Sequence, residues 1–361
     1  MILIDSRVKK QAKVLVEYSL KTKKGDKVVV VGSSGAKTLM FEIYRQLIKK
    51  GANDVRLRYD YYELSEIYFK NATDTQIDYF PKIDMDEVRY LDCYVRIASP
   101  QNTRGLTNVD TERMSQRAKV LRPITNYRVE KTRWVITRFP SEAQAQEADM
   151  SLSDYSRFVF NAINKVDWKK KYKEQEKLRK RIDATSEIRI VGNDTDLRMS
   201  IKGRKAVNAS GEHNMPDGEV FTSVVENSVN GFITYTYPAL YFGKEFHKVR
   251  LEFEKGKVVK ASAEKGEKDL NSILDTDGGA RYLGELGIGN NYKIKKFTKD
   301  ILFDEKIGGT VHLALGKGYK KTLSKNKSAI HWDMIKDLRK GGELWFDDKL
   351  AQRNGRWLIK L

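Results

Sequence analysis

The chain has 361 residues, of which 40% are hydrophobic and 32% charged, and its formal net charge is +19. This length exceeds one ordinary hydrophobic core, so a globular protein of two domains is expected. No apolar run approaches the ~20 residues that span a bilayer, and residues 1–10 lack the apolar stretch of a signal peptide. The single cysteine, Cys93, excludes an intrachain disulfide and indicates a reducing compartment. We therefore expect a cytoplasmic protein without a membrane segment.

The first 160 residues alternate helix patterns with short strand patterns. Helices are predicted at Gln11–Thr22 and at Lys37–Lys50, and the second ends at Gly51, a typical C-cap residue. A turn followed by a strand is predicted over residues 24–32, and further strands are predicted over residues 55–59, 91–98 and 132–139. Short β-branched strands separated by helices favour a parallel sheet, so the first half is predicted to be an open, mostly parallel α/β domain.

The turn after the first strand, VVVVGSSGAKTLM (28–40), resembles a nucleotide-binding loop but lacks the required spacing. A phosphate loop needs four residues between its glycines, whereas two residues separate Gly32 from Gly35. The dinucleotide pattern GxGxxG fails at Ser34, and GSSG is not the GxSxG of a serine nucleophile. Cys93 lies in a strand-like run, which is typical of a buried side chain. We predict a simple strand-to-helix turn here, without a catalytic role.

A lysine-rich segment carries the densest positive charge of the chain. Lys165–Arg181 contains nine basic and three acidic residues, with apolar side chains at i,i+4 spacing. This pattern predicts a solvated helix with a narrow packed stripe. A basic nucleic-acid-binding protein is one alternative function, but no recognised nucleic-acid motif accompanies the charge. Non-specific attraction at low salt is the expected consequence.

From Glu187 onward the pattern changes to short alternating strands. Residues 187–207 read as paired strands with a turn at Gly192–Asp194, and residues 222–237 and 248–260 also alternate. This spacing favours a β-rich second domain of antiparallel or mixed pairing. The predicted domains are therefore residues 1–183, ending in the lysine-rich connecting helix, and residues 184–361. The fold class is α/β with α+β: an open parallel domain followed by a β-rich mixed catalytic domain.

Five residues of the second half form a mixed oxygen and nitrogen ligand set. They lie in HNMPDGEVFT (213–222), GELGIGNN (284–291), GGTVHLALG (308–316) and HWDMI (331–335). Such a set suits Zn²⁺, Co²⁺ or Mn²⁺ and differs from a thiolate-held structural zinc. The chain has only four histidines, and two of them fall in these segments. The candidate metal ligands are Glu219, Glu285, His312, His331 and Asp333.

Each candidate also has an ordinary structural interpretation. Glu219 stands where a Pro-Asp-Gly turn becomes a strand, which would aim its carboxylate rigidly. Glu285 lies in a glycine-broken, helix-like end, where a solvated glutamate is common. His312 lies on an apolar strand flanked by glycines, where a buried histidine is often only a core residue. His331 and Asp333 stand two apart, so both point to one face of an extended segment.

Taken together, the five residues predict metal-assisted hydrolysis. Two divalent ions would lower the pKa of a shared water and polarise a carbonyl. Tyr319, seven residues after His312, could donate a hydrogen bond to the developing oxyanion. Glu212, Asp217 and Glu226 are unranked candidates for the general base, and His213 is expected to stabilise its loop.

These segments resemble the thermophilic-type metalloaminopeptidases, the aminopeptidase T and aminopeptidase S (PepS) group. LVEYSLKTKKGDKVVV (15–30), FPSEAQAQEADMSLSDYSRFVFNA (139–162) and TDLRMSIKGR (195–204) are similar to that family too, so the resemblance covers nearly the whole chain. It implies a cytosolic, homodimeric exopeptidase that removes N-terminal amino acids from peptides with two divalent metals. The resemblance places the family's ligands on Glu219, Glu285, His312, His331 and Asp333, and its active-site tyrosine on Tyr319.

The resemblance leaves several points open. Glu285 is our choice for the carboxylate that bridges two metals. A dinuclear-metal amidase or esterase for small polar substrates is a further alternative, because no acidic residue is assigned to hold a free α-amino group. The native metal and the preferred N-terminal residue are not specified by the sequence.

Overall fold

The computed structural model describes residues 4–241 and 243–360. The helices are α1 (Ser6–Lys13), α2 (Lys37–Lys49), α3 (Tyr62–Asn71), α4 (Asp74–Asp78), α5 (Lys82–Tyr90), α6 (Thr111–Lys131), α7 (Glu142–Glu147), α8 (Leu152–Asn164), α9 (Trp168–Asp183), α10 (Glu267–Leu274) and α11 (Ile301–Asp304). A π-helical segment, Val14–Ser19, follows α1, and short 3-10 turns lie at Ser34–Ala36 and Lys320–Thr322. Within the described residues, no helix is both long and apolar enough to cross a membrane.

The strands complete the description of the secondary structure. They are β1 (Lys27–Gly32), β2 (Asp54–Tyr59), β3 (Cys93–Ala98), β4 (Arg133–Arg138), β5 (Glu187–Gly192), β6 (Thr195–Ser200), β7 (Val207–Ala209), β8 (Asn214–Met215), β9 (Glu219–Thr222), β10 (Asn230–Thr234), β11 (Ala239–Tyr241), β12 (Lys244–Phe246), β13 (Arg250–Glu254), β14 (Lys257–Ser262), β15 (Leu283–Gly289), β16 (Thr310–Gly316), β17 (His331–Asp337), β18 (Glu343–Phe346), β19 (Lys349–Arg353) and β20 (Arg356–Trp357).

The chain divides into two compact units, Met1–Val166 with Gly211–Pro216, and Asp167–Ser210 with Asp217–Leu361. The first unit contains a parallel sheet in the order β2-β1-β3-β4-β8. Its central strands are buried β-branched runs such as KVVVVG, which suits strands covered on both faces. The predicted open parallel α/β domain is therefore confirmed.

The second unit contains two larger antiparallel sheets. One has the order β14-β13-β10-β6-β5-β18-β19-β20, and the other has the order β17-β16-β15-β9-β7. A single cluster of buried apolar side chains draws on strands of both sheets, including Ile190, Leu251, Leu313 and Met334. The predicted β-rich second half is confirmed, and so is the turn between β5 and β6, where Asp194 has a positive φ of 46°.

The lysine-rich helix α9 groups with the second unit, whereas the sequence boundary assigned it to the first. Leu178 and Ile182 belong to the apolar core of the second unit, and the buried Gln175 amide donates to the Glu219 carbonyl at 2.8 Å. The helix buries only Trp168, Gln175, Leu178 and Ile182, which confirms the predicted narrow stripe. Residues 211–216 group with the first unit because β8 extends the parallel sheet beside β4.

Two local predictions differ from the structure. The first helix begins at Ser6 because the Asp5 side chain caps it by accepting from the Arg7 amide. The sequence predicts Glu285 in a helix-like end, whereas it lies in β15, a fully buried strand. The prediction was wrong because glycines at residues 284, 287 and 289 suggested a break. In the sheet they are sites where neighbouring groups approach closely.

Candidate metal centre

The five predicted ligands share one face of the sheet formed by β17, β16, β15 and β9. Glu285 pairs with Ala314, and Ala314 pairs with Asp333. Directly opposed residues of an antiparallel sheet, and residues two apart along a strand, point to the same face. The same rule places His312, two residues before Ala314, on this face. It also places there the first residue of β9, Glu219, and the first residue of β17, His331. The residues so aligned are Glu219, Glu285, His312, His331 and Asp333.

Small residues occupy the positions between these side chains. Gly287 lies directly opposite His312, and a Cβ atom on it would stand 2.0 Å from His312 Cε1 and 2.1 Å from Nε2. The imidazole therefore occupies the space that a side chain at Gly287 would need. Gly289 pairs with Glu219, and Gly316 pairs with His331. This face is consequently open enough for acidic and imidazole side chains to converge.

The opposite face of the same sheet is apolar. Trp332 is 1% exposed and packs edge-on against Phe246 at 4.7 Å between ring centroids. Leu286 and Leu313, on the neighbouring strands, belong to the same core. Burial of this face holds the strands in register, because a slip by one residue would exchange the two faces. Trp332 therefore points away from His331 and Asp333.

His312 joins two of the predicted carboxylates. Its Nε2 atom lies 3.3 Å from Glu219 Oε2 and 3.4 Å from Glu285 Oε1. All three side chains are almost fully buried. This arrangement forms the first half of the candidate centre.

His331 joins the other pair of carboxylates. Its Nε2 atom lies 3.3 Å from Asp333 Oδ2 and 4.0 Å from Glu285 Oε2. Glu285 therefore directs one oxygen to each histidine, Oε1 to His312 and Oε2 to His331. It occupies the middle of the centre.

Both histidines are oriented by the backbone. His312 Nδ1 lies 3.2 Å from the Glu305 carbonyl oxygen, and His331 Nδ1 lies 2.7 Å from the Lys317 carbonyl oxygen. A carbonyl oxygen only accepts, so each Nδ1 carries the hydrogen and donates it. In the neutral ring each Nε2 atom is then left with a lone pair that faces the carboxylates. Metal-binding histidines are commonly fixed in this way.

Sequence reasoning missed Glu305 and Lys306. Ligand atoms of Glu219, Glu305 and His312 all lie within 4.8 Å of one another. The Lys306 ammonium is fully buried, contacts Glu305 and lies 3.5 Å from Glu219 Oε1. The signal was an adjacent acid and base just before the Gly-Gly that opens a buried strand. Because charged residues are common in loops, nothing in the sequence distinguished this pair.

Two of the other candidate bases, Glu226 and Glu212, are engaged elsewhere, whereas the charge of Asp217 acts on Glu219 and Lys306. Glu226 forms an ion pair with Arg204 at 2.5 Å and accepts from the Lys325 amide. Glu212 lies in the first unit, where it pairs with Lys21 at 2.6 Å. Asp217 is 1% exposed and its Oδ1 accepts from the Gly218 amide at 3.0 Å.

His213 also lies in the first unit. Its ring stacks on Trp134 with 4.5 Å between centroids.

Burial and mutual charge shift the pKa values of the centre. Burial raises the pKa of Glu219 to about 8, although Lys306 acts in the opposite direction. Burial also raises the pKa of Glu285. Burial opposes protonation of His312, but Glu285 and Glu219 outweigh it and raise its pKa to about 10.

The His331–Asp333 pair behaves in the same way. Burial opposes protonation of His331, but Asp333 raises its pKa to about 10. Burial would raise the pKa of Asp333, but His331 outweighs it and lowers that pKa. Such a cluster holds protons on atoms that a divalent cation would compete for.

Tyr319 borders the centre on the side of His331. Its ring centroid lies 5.5 Å from that of His331 and 5.6 Å from that of Phe221. The side chain remains 48% exposed. Partial burial raises the pKa of the Tyr319 phenol, and the charges of Glu285 and Asp333 raise it further. The hydroxyl therefore stays protonated at neutral pH and can donate a hydrogen bond.

The donor set fits a divalent metal. Tetrahedral zinc with bonds of about 2.1 Å separates its ligand atoms by about 3.4 Å, close to the three shorter contacts of the two histidines. Among the described residues, none donates a hydrogen bond to three buried carboxylate oxygens, which are Glu219 Oε2, Glu285 Oε2 and Asp333 Oδ1. Buried oxygens of this kind usually have a partner, and a cation would supply one.

Comparisons with known proteins identify the family to which the chain belongs. The family model described as "Thermophilic metalloprotease (M29)" matches residues 4–357. Because this match spans nearly the whole sequence, the chain belongs to the M29 thermophilic metalloprotease family and is a peptidase. The resemblance stated from the sequence is confirmed.

Individual relatives agree with the family match. Aminopeptidase AmpS of Bacillus subtilis (strain 168) is 25% identical, over 90% of this chain and 88% of the relative. Aminopeptidase T of Thermus thermophilus is 32% identical over 166 residues, 40% of each chain. The solved structure "Wild-type AmpT from Thermus thermophilus" aligns with a TM-score of 0.87 and 22% identity, over 98% of this chain and 99% of that one. At this identity the structural likeness establishes the fold alone.

Proposed function

We propose that this chain is an aminopeptidase that releases N-terminal amino acids from peptides with the help of two divalent metal ions. The observation that carries the proposal is the position of Glu285, whose two carboxylate oxygens face two different histidines. One ion would be held by Glu219, His312 and Glu285. The other would be held by Glu285, His331 and Asp333, so that Glu285 bridges the two.

The charge of the centre supports two cations. Four carboxylates converge there, those of Glu219, Glu285, Glu305 and Asp333, whereas Lys306 is the cation that contacts two of them. With both histidines deprotonated, as metal binding requires, the four carboxylates and Lys306 leave a surplus of three negative charges. Buried charge is costly unless it is paired. Two divalent cations would compensate the surplus.

The ions would lower the pKa of a shared water and polarise the scissile carbonyl. We assign Tyr319 to donate a hydrogen bond to the oxygen of that carbonyl, because its phenol is protonated and exposed beside His331. We assign Glu305 to accept the proton of the attacking water. It belongs to the cluster without being one of the five proposed ligands, and the Lys306 ammonium contacts its carboxylate.

The first test measures metal content and hydrolysis of leucine p-nitroanilide on the same preparations. We expect about two metal ions per chain in the wild type, after loading with Zn²⁺, Co²⁺ or Mn²⁺, and loss of activity with a chelator. Glu285→Ala should lose both metals and activity. Glu254→Ala, which removes an exposed glutamate of β13, is the matched control. A folded wild type that binds no metal and turns over no substrate would refute the proposal.

The second test separates a proton acceptor from a ligand. Glu305→Gln keeps the size of the side chain and removes its basicity. We expect metal content to persist and kcat to fall by about 100-fold or more, the usual contribution of a general base. Loss of metal in Glu305→Gln would instead make Glu305 a ligand.

The third test concerns the substrate class. An aminopeptidase should hydrolyse leucine p-nitroanilide and leave N-acetyl-leucine p-nitroanilide intact, whereas a general amidase or esterase would accept the blocked compound.

We also propose a homodimer located in the cytoplasm, as the family resemblance and the single Cys93 suggest. Light scattering at several protein concentrations would test the oligomeric state.

A further inference from the structure

A cavity of about 150 Å³ lies in the second unit against the strand that carries His331 and Asp333. Those two residues form part of its wall. The remainder of the wall is mostly apolar and comes from the segments around β11, α11 and β17. The apolar side chains include Pro238, Leu240, Tyr241, Phe297, Ile301 and Ile335.

The cavity follows the outer edge of β17, the end strand of its sheet. Along this strand the Ile335 carbonyl accepts from the Thr236 amide at 3.1 Å, and the Asp337 amide donates to Thr236 Oγ1 at 3.1 Å. The peptide groups of these odd-numbered residues thus point away from β16. By the alternation of an antiparallel ladder, the amide and carbonyl of Asp333 point the same way. An extended peptide could pair with them as an added strand.

One acidic residue of the wall, Asp304, is already engaged. It is 1% exposed, and its Oδ1 accepts from both the amide and the hydroxyl of Thr298, at 2.8 and 2.9 Å. These two bonds fix the carboxyl within its own loop. The surface left for an occupant is therefore mainly apolar.

We infer that this cavity receives the side chain of the N-terminal residue of the substrate and selects apolar side chains of the size of leucine or phenylalanine. The inference rests on the proposed aminopeptidase function and adds the substrate class. An apolar cavity of about 150 Å³ admits a molecule of the size of benzene. Its position beside His331 and Asp333 keeps the first residue of a peptide next to the proposed metals.

The test compares kcat/KM for the p-nitroanilides of alanine, leucine, phenylalanine, glutamate and arginine. Leucine and phenylalanine should exceed alanine by about tenfold or more, since each methylene in an apolar pocket contributes about that factor. Ile301→Trp is designed to fill the cavity from a side chain that is 44% exposed. It should lower the leucine-to-alanine ratio by about tenfold. Val259→Trp, at an exposed position outside the cavity, should leave the ratio unchanged.

A second variant and a binding measurement distinguish a change in selectivity from misfolding of Ile301→Trp. Ile301→Ala should enlarge the cavity and shift preference from leucine toward phenylalanine. Calorimetry should detect phenylalaninamide binding more tightly than alaninamide to the wild type, and this difference should shrink in Ile301→Trp.

The outcomes separate the two levels of the proposal. If both Ile301 variants hydrolyse all five substrates with the same preference as the wild type, the cavity assignment is wrong. The aminopeptidase proposal would still stand. A preference for arginine that Asp304→Asn abolishes would also overturn it, in favour of a basic side chain. Failure of the metal-loaded wild type to hydrolyse any of the substrates would overturn both.

Discussion

Replacing Gly287 by alanine should inactivate the proposed metal centre through a single methyl group. In the structure that methyl would stand 2.0–2.1 Å from two atoms of the His312 ring, whereas ordinary contact begins at 3.4 Å. The ring, the strand or both must therefore move by about 1.4 Å to restore ordinary contact. Metal–ligand distances tolerate only about 0.2 Å. The change should thus remove His312 from its ligand position while leaving the His331 half of the centre in place.

The expected magnitudes follow from this overlap. Overpacking a buried site costs about 1–3 kcal/mol, so the thermal midpoint should fall by about 1–4 °C at roughly 1.3 °C per kcal/mol for 361 residues. Bound metal should decrease from about two ions to about one, and kcat/KM for leucine p-nitroanilide by about 100-fold or more. Atomic absorption, calorimetry and steady-state kinetics measure the three effects.

A matched glycine variant controls for the loss of glycine itself. A Cβ atom on Gly278 would meet no atom within 4 Å, so Gly278→Ala should keep metal content and activity. If Gly287→Ala retained two metals and full activity, His312 could not be a ligand in the position described. The geometric reasoning for the centre would then be refuted.

Three further predictions concern other charged and reactive groups. Lys306→Met leaves buried carboxylates without their cation, so urea denaturation should show that the free energy of unfolding falls by about 3–5 kcal/mol. The control Lys260→Met removes a largely exposed ion pair and should lower the free energy of unfolding by about 0–1 kcal/mol. Cys93 is fully buried, and burial raises the pKa of its thiol to about 12, so a thiol reagent at pH 8 should react only after unfolding. Burial alone would raise the pKa of Asp337, but bonds from Arg339 outweigh it and lower the pKa. The Asp337–Arg339 pair stabilises the fold at pH values above about 3.9, the pKa of an aspartate in the unfolded chain. This stabilisation is lost as the pH falls through the lowered pKa of the folded state. Asp337→Asn should therefore make the urea midpoint decline less steeply between pH 5 and pH 3.

Each of these predictions has a result that would contradict it. Equal stability losses in the two lysine variants would show that Lys306 is not a buried counter-charge. Stoichiometric labelling of Cys93 in the folded protein would contradict its burial in β3. An unchanged acid slope in Asp337→Asn would mean that the Arg339 pair does not stabilise the fold.

The elements whose patterns are local could be predicted from the sequence. Helix α2 and its Gly51 cap follow from periodicity and from the positive φ of 83° that glycine accepts. The turn between β5 and β6 and the extended His331–Asp333 segment also depend only on neighbouring residues. The ordinary strand-to-helix turn at Gly32–Gly35 follows from the spacing of its glycines.

The features that depend on distant contacts could not be predicted. Any rule based on neighbouring residues interprets the glycines of β15 as a break in secondary structure. The His312 ring on the adjacent strand explains why a residue without a side chain stands at Gly287. Helix α9 is polar over most of its surface, so its grouping is decided by Leu178 and Ile182, which pack with strands far along the chain. Glu305 gains its position from the fold of the loop before β16. Its sequence neighbourhood does not distinguish it from a surface glutamate.

The arrangement of the proposed ligands on four neighbouring strands has a consequence for the lifetime of the protein. Ions bound by β9, β15, β16 and β17 would connect strands that the chain separates by as many as 114 residues, from Glu219 to Asp333. Metal at 1,000 times its dissociation constant would add about 4 kcal/mol to the free energy of unfolding. We therefore expect a cell short of divalent metal to lose this protein to proteolysis as well as to lose its activity, so that its abundance would follow the metal supply.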